Sequence, residues 1–138
     1  MKNKKGFTLV ELLIVIAIIG VLAGMVIAVL NPRHFQAKSR DAKRKADLEQ
    51  VRSALEMYRA DNGNYPAGSG SVASVLTVLQ TNGYLTLPTD PGTYDYRYVS
   101  AGLTTYQLCA YLEKETGSSA CGGGACGGAT CNYQVTNP

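Results

Sequence analysis

An α+β fold, with one long N-terminal helix packed on a small antiparallel sheet, is what these 138 residues predict. Three observations predict it. Residues Phe7 to Leu30 are an almost unbroken apolar run, and Leu48, Val51, Leu55 and Tyr58 recur at helical spacing. Two later segments, YDYRYV and TYQLCAYLE, alternate apolar or aromatic residues with polar ones. The first is a helix by length, the second a helix by period, and the alternating segments are half-buried strands.

The apolar run holds 24 residues, and Glu11 is its only charge. As a helix rising ~1.5 Å per residue it is ~36 Å long, enough to cross a hydrocarbon core of ~30 Å. It exceeds the ~7–15-residue apolar region of an ordinary secretory signal, and no A-x-A-like cleavage site follows it. A retained membrane helix is therefore expected.

Asn31-Pro32 interrupts the helical pattern. Proline removes a hydrogen bond and crowds the preceding turn, so a kink is expected at Pro32. Beyond it the stripe of Leu48, Val51, Leu55 and Tyr58, extended backwards by Ala46 and Ala42, makes one face of an amphipathic helix. The other faces carry opposite charges at i,i+4: Asp41–Lys45, Lys43–Asp47, Lys45–Glu49 and Arg52–Glu56. At DNGNYP, Gly63 accepts a left-handed conformation and Pro66 forbids continuation. A single kinked helix from Phe7 to about Asp61 is the expectation.

The remainder is tyrosine-rich. Val72, Val75, Leu76 and Leu79 predict a short helix capped by Ser71 and ended near Gly83, followed by the turn cluster LPTDPG. Tyr94, Tyr96 and Tyr98 then alternate with Asp95 and Arg97, and Tyr106, Leu108, Ala110 and Leu112 with polar neighbours, with Gly102 between them as in a hairpin. A third strand is expected over Cys131 to Val135, after a glycine-rich loop. So small a sheet cannot stand alone, and the amphipathic helix is its second layer.

The totals exclude several functions. Lys2, Lys4 and Lys5 account for the net charge of +3, and the other ten basic side chains balance ten acidic ones. KSRDAKRK has interleaved acids and no aromatic for base stacking, so it reads as a solvated helix face and no nucleic acid is expected as a partner. No nucleophile–base pair and no phosphate-cradling glycine loop are discernible; His34 reads as an exposed helix residue, and no enzyme is expected.

Cys109, Cys121, Cys126 and Cys131 form an even set without a histidine nearby, which favours disulfides in an oxidising compartment. Three pairings are open. The expected one joins Cys109 to Cys131 across adjacent strands and Cys121 to Cys126 within the loop. The last three cysteines are five residues apart, unlike the close pairs of structural zinc sites, so neither a metal nor any other cofactor is expected.

Glu11 is the residue that asks for an explanation. A carboxylate at mid-membrane costs ~2.5–3.5 kcal/mol and usually has a partner or a pathway. Physics alone leaves two readings open, a boundary charge that reaches the interface or a group awaiting a cation. Its neighbours add more. MKNKKGFTLVELLIVIAIIGVLAG is a lysine-rich head, a glycine, a phenylalanine, a glutamate four residues on and a long apolar helix. From Lys5 to Gly24 it resembles the class III signal and transmembrane segment of type IV pilins and pseudopilins.

That resemblance implies a precursor cut by prepilin peptidase between Gly6 and Phe7 on the cytoplasmic face, then N-methylated on Phe7. Residues 1–6 would be the leader, 7–30 the transmembrane and filament-core helix, 31–61 the amphipathic helix, and 62–138 the small globular domain with its Gly/Cys-rich tail. Glu11 would meet the amine of a neighbouring subunit and set the axial stagger, since an unpaired carboxylate in low dielectric is penalised. The implied partners are copies of this chain, related minor pilins, the peptidase, an inner-membrane assembly platform, and membrane lipid before assembly. The implied location is the inner membrane, crossed once with the N-terminus cytoplasmic and the domain outside, and then an extracytoplasmic filament. Gly20 and Gly24 form a small-xxx-small pair suited to close helix approach.

DNGNYP, NGYLTLPTDP and YDYRYV also look like the G-type major pseudopilin of type II secretion systems. There are departures. The family's kink commonly falls where Ala28 stands, and a tryptophan often follows the Asp-Pro turn where this chain has Gly92. Major pseudopilins bind calcium through acids near the C-terminus, and no Asp or Glu follows Glu115 here, so that site is not carried over. The cysteine-bearing tail is more like the disulfide-closed end of a pilin.

A count of cations opposes this reading. Three lie before the apolar run, and six follow it: Arg33, Lys38, Arg40, Lys43, Arg44 and Lys45. The positive-inside rule would keep the large domain in the cytoplasm. The competing expectation is a single-pass membrane protein with a cytoplasmic interaction helix that forms no filament.

Overall fold

The computed structural model describes residues 6–29, 31–115, 117 and 120–138. Most of the expected leader, residues 1–5, lies outside the described residues. The chain forms two units, residues 1–36 and 37–138. The first consists of α1 (Leu9–Val29) and the opening turn of α2 (Pro32–Asn62).

The helical stretch expected as one kinked helix is present as α1 and α2. Pro32 is the first residue of α2, where a missing N–H costs nothing, and Asn31 stands before it. The Asn31 side-chain oxygen accepts from the His34 N–H at 3.4 Å, so this dipeptide starts the second helix. At the other end the Gly63 N–H donates to the Arg59 carbonyl at 2.7 Å, and Gly63 has φ 81°. That left-handed residue closes the helix, as DNGNYP predicts.

The second unit is α+β, as the sequence predicts. After α2 come β1 (Gly68–Ser71), α3 (Val72–Val75), α4 (Thr77–Thr81), β2 (Arg97–Ser100) and β3 (Gln107–Ala110). A 3₁₀ turn (Cys121–Gly123), a two-residue ladder of β4 (Ala125–Cys126) with β5 (Ala129–Thr130), and β6 (Tyr133–Thr136) complete it. The main sheet is antiparallel in the order β1-β2-β3-β6. The expected short helix forms but divides at Leu76, and the Ser71 hydroxyl caps it by accepting from the Ala73 N–H.

Strand β1 has no counterpart in the sequence reading. GSGS lacks β-branched and aromatic residues, and it is held by its pairing with β2 from Gly68↔Ser100 to Ser71↔Arg97. At Gly68, with φ 139°, a Cβ would run into the Val75 side chain, so glycine lets α3 fold back on the strand.

The core lies between α2 and the inner face of the sheet: Leu48, Val51, Ala54 and Leu55 meet Tyr96, Tyr98, Tyr106, Leu108 and Val135. Each buried tyrosine carries its hydroxyl to an acceptor, so the rings add apolar area without stranding a polar group. Tyr96 donates to Asp47 at 2.6 Å, Tyr98 to the Pro66 carbonyl at 2.7 Å, and Tyr65 and Tyr106 to Glu56 at 2.8 and 3.1 Å. Burial first, then the neighbouring carboxylates, pushes the Tyr96 and Tyr106 phenols up, and burial pushes Tyr98 up to about 12.

The N-terminal half of α2 departs from the expected stripe. Ala42 and Ala46 are exposed, and Ala37, Asp41, Arg44 and Asp47 occupy the buried row. None of the four i,i+4 ion pairs forms among the described residues. Lys45 pairs with Glu115, Arg52 with Glu49, Asp41 with Arg44, and Glu56 serves the tyrosines. Lys45 and Glu56 find partners elsewhere in the domain, whereas Asp41–Arg44 and Arg52–Glu49 close within the helix at i,i+3.

A second cluster covers the outer face of the sheet: Cys109, Ala120, Cys121, Cys126 and Cys131, with Val99 and Tyr111 beside them. Cys109 is bonded to Cys121 and Cys126 to Cys131, which corrects the expected pairing. The ladder explains why. β3 and β6 align Cys109 with Gln134, beyond reach of Cys131, whereas the β4–β5 turn brings Cys131 back to Cys126 with Cα atoms 5.2 Å apart.

Candidate assembly surface

Helix α1 is apolar on every side, and none of its residues is buried. It is long and apolar enough to cross a membrane. An amphipathic helix would show one face for water; this one shows none, so its whole circumference requires lipid or protein around it.

The candidate processing and assembly residues lie at its start. Gly6 and Phe7 precede the helix and are exposed, Phe7 to 84%. The Thr8 hydroxyl accepts from the Glu11 N–H at 3.2 Å, which makes Thr8 the N-cap and places Glu11 in the first turn. The sequence reading missed that role, although T-x-x-E before an apolar run is the signal for it. The cap uses the backbone of Glu11. Its carboxylate has no ion pair or hydrogen bond among the described residues and sits where the helix dipole favours negative charge. A Cβ at Gly20 or Gly24 would meet nothing in the single chain.

The residues brought together elsewhere form a structural cluster that the sequence did not reveal. Arg44 is wholly buried and binds Asp90 through Nε at 2.6 Å and Nη2 at 3.1 Å, while its Nη1 reaches Asp41 at 2.8 Å and Glu113 at 2.9 Å. Arg40 holds both oxygens of Glu113 at 2.7 and 2.5 Å. Asp41 also accepts the backbone N–H groups of Glu113 and Lys114, each at 2.9 Å. Helix α2 is thereby fastened to the LPTDPG turn and to the segment after β3.

The charges are mutually held. Burial opposes the charge on Arg44, but hydrogen bonds to Asp90, Glu113 and Asp41 keep the guanidinium above its ordinary value. Burial likewise pushes Asp90 up, and the bonds from Arg44 and the Gly92 N–H outweigh it, leaving the carboxyl below its ordinary value. The Arg40 hydrogen bond, opposed by burial and reinforced by Arg44, pulls Glu113 down to about 2. Each charged group of the cluster is thus engaged by another member of it or by the backbone.

Comparison with known proteins bears on both ends of the chain. The model for the prokaryotic N-terminal methylation motif matches residues 1–27, and that for type II secretion system protein G matches residues 32–120. The chain is 33% identical over 111 residues to type II secretion system core protein G of Pseudomonas aeruginosa, covering 73% of this chain and 77% of that protein. To its counterpart in Escherichia coli the identity is 38% over 112 residues, covering 72% and 74%. The type IV wide pilus major component of Thermus thermophilus is 38% identical over 112 residues, covering 80% of this chain and 75% of its own length. No solved structure matches.

Proposed function

The chain belongs to the type II secretion system protein G family, and on that premise we propose how it works. It is a structural filament subunit of the type II secretion and type IV pilus class. Its precursor is cut by a prepilin peptidase between Gly6 and Phe7 and methylated at the new amine. The mature subunit waits in the membrane on α1 and passes, through an inner-membrane assembly platform, into a fibre shared with other copies and related pilins. The second unit then lies outside the cytoplasm, where its cysteines oxidise.

One observation carries the reading: an all-apolar exposed helix whose single charge, Glu11, stands four residues after Phe7 and has no partner in its own chain among the described residues. The cleaved amine of an adjacent subunit supplies the cation. A carboxylate left unpaired in that surrounding is costly, so only the stagger that joins the two groups is stable. Glu11 therefore acts as a register, and the apolar surface provides the contact area.

The rival reading, a cytoplasmic interaction domain, drew on six cations after the span. Three of them, Arg40, Arg44 and Lys45, are engaged by the domain's own carboxylates, so half of the count reflects folding. Mass spectrometry of the chain from intact cells tests the proposal. The expected N-terminus is methylated Phe7, and a population that still begins at Met1 overturns it. E11A is expected to be processed and yet to abolish most filaments; a normal filament yield refutes the register role.

A further inference from the structure

The turn that follows the membrane-length helix carries an aromatic side chain with no role in its own fold. Phe35 is 76% exposed, whereas the other exposed large apolar residues beyond α1, Met57 and Leu103, are at 49% and 41%. Arg33 and His34 beside it are exposed, and neither side chain meets an acid among the described residues. Its charge thus differs from that of Arg40, Arg44 and Lys45, which the domain neutralises. An unpaired guanidinium and an uncovered ring two residues apart, immediately after an apolar span, need an amphipathic surrounding.

We propose that Arg33 and Phe35 are an interfacial anchor for anionic phospholipid, which holds the unassembled subunit at the surface of the bilayer. The proposal rests on the reading of α1 as a membrane span before assembly. The 21 residues of α1, at ~1.5 Å each, match a hydrocarbon core of ~30 Å, so the turn after Val29 falls among the headgroups. There the planar guanidinium of Arg33 binds a phosphate through paired N–H donors, and the Phe35 ring lies at the acyl boundary. Charge complementarity and continuity with the span select lipid over a second copy of the chain, whose matching turn carries the same positive charge.

The chain contains no tryptophan, so F35W supplies a single fluorescent reporter. The full chain carrying F35W is reconstituted in vesicles of phosphatidylglycerol and, separately, of phosphatidylcholine. Quenching by lipid brominated near the headgroup is compared with quenching by aqueous acrylamide. The expected result is quenching by lipid and shielding from acrylamide in phosphatidylglycerol, with R33Q weakening the docked state about fivefold, as loss of one cation near an anionic surface gives. A reporter open to acrylamide in an inserted chain overturns the anchor and leaves the filament reading intact. A reporter shielded only after assembly assigns the ring to a second copy and also overturns it. A chain that fails to insert overturns the anchor and the membrane reading together.

Discussion

Arg44 and Asp90 are joined by two parallel hydrogen bonds of 2.6 and 3.1 Å, with the arginine side chain wholly buried and the aspartate nearly so. They are 46 residues apart in sequence, and the pair ties the middle of α2 to the turn before β2. Removing the cation leaves Asp90 and Asp41 with backbone N–H donors alone and Glu113 with Arg40 as its only countercharge. R44A is expected to cost about 3–5 kcal/mol, the range for breaking a buried pair. D90N is expected to cost less, because Arg44 keeps Asp41 and Glu113. Urea unfolding of the full chain in detergent, followed by far-ultraviolet circular dichroism, measures both.

The same cluster sets an acid limit. Glu113 is held at about 2 against an ordinary value of 4.5, and Asp90 is lowered as well. A carboxyl depressed by folding stabilises the native state above its unfolded value, and the contribution is lost as pH falls through the folded value. Stability is therefore expected to decline between pH 4.5 and about 2. E113Q is expected to be less stable at neutral pH and to show a shallower decline across that window. An acid titration of the unfolding midpoint in both proteins checks the sign.

The two disulfides are unequal staples. Cys109–Cys121 spans a sequence separation of 12 and Cys126–Cys131 one of 5. Chain entropy gives about 3 kcal/mol for the longer loop and about 2 kcal/mol for the shorter. The paired substitutions C109S/C121S and C126S/C131S are expected to lower stability in that order. Peptide mapping without reduction is expected to recover those two linkages and no others.

Glu56 receives the hydroxyls of both Tyr65 and Tyr106, whose rings meet edge to face with centroids 4.6 Å apart. E56A would leave the Tyr106 hydroxyl without its acceptor and the Tyr65 hydroxyl with Arg59 alone, at roughly 1–3 kcal/mol for each unsatisfied donor. Y65F removes one donor and leaves Glu56 bound to Tyr106, so a loss of about 1 kcal/mol is expected. Thermal unfolding of the two variants side by side distinguishes a shared acceptor from two independent contacts.

Legibility followed physical locality. The apolar run of α1 needs no context, and Gly63 marks the end of α2 through its own backbone preference, while Pro32, expected as a kink, stands at its first position. Tyr96, Tyr98, Tyr106 and Leu108 announced the inner face of the sheet by alternation, and all four are buried. What could not be read depends on distant partners. Arg44 looks like a solvated residue until Asp90 and Glu113, 46 and 69 residues away, surround it. GSGS becomes a strand only because β2 offers it an edge, and the cysteine pairing follows from the β3–β6 register. At the candidate site Glu11 stood out as the one charge in an apolar run, its assembly role coming from the resemblance, whereas the Thr8 cap was hidden behind that more conspicuous neighbour.

The uniformly apolar circumference of α1 also bears on the direction of growth. A helix that leaves acyl chains for the interior of a fibre exchanges one oily solvent for another, so little water is released and the hydrophobic effect is nearly indifferent to the move. The hydrophobic effect alone then gives elongation little preferred direction. Under the proposed function, a contribution as small as the matched charge at Glu11 then decides between extension and return to the bilayer.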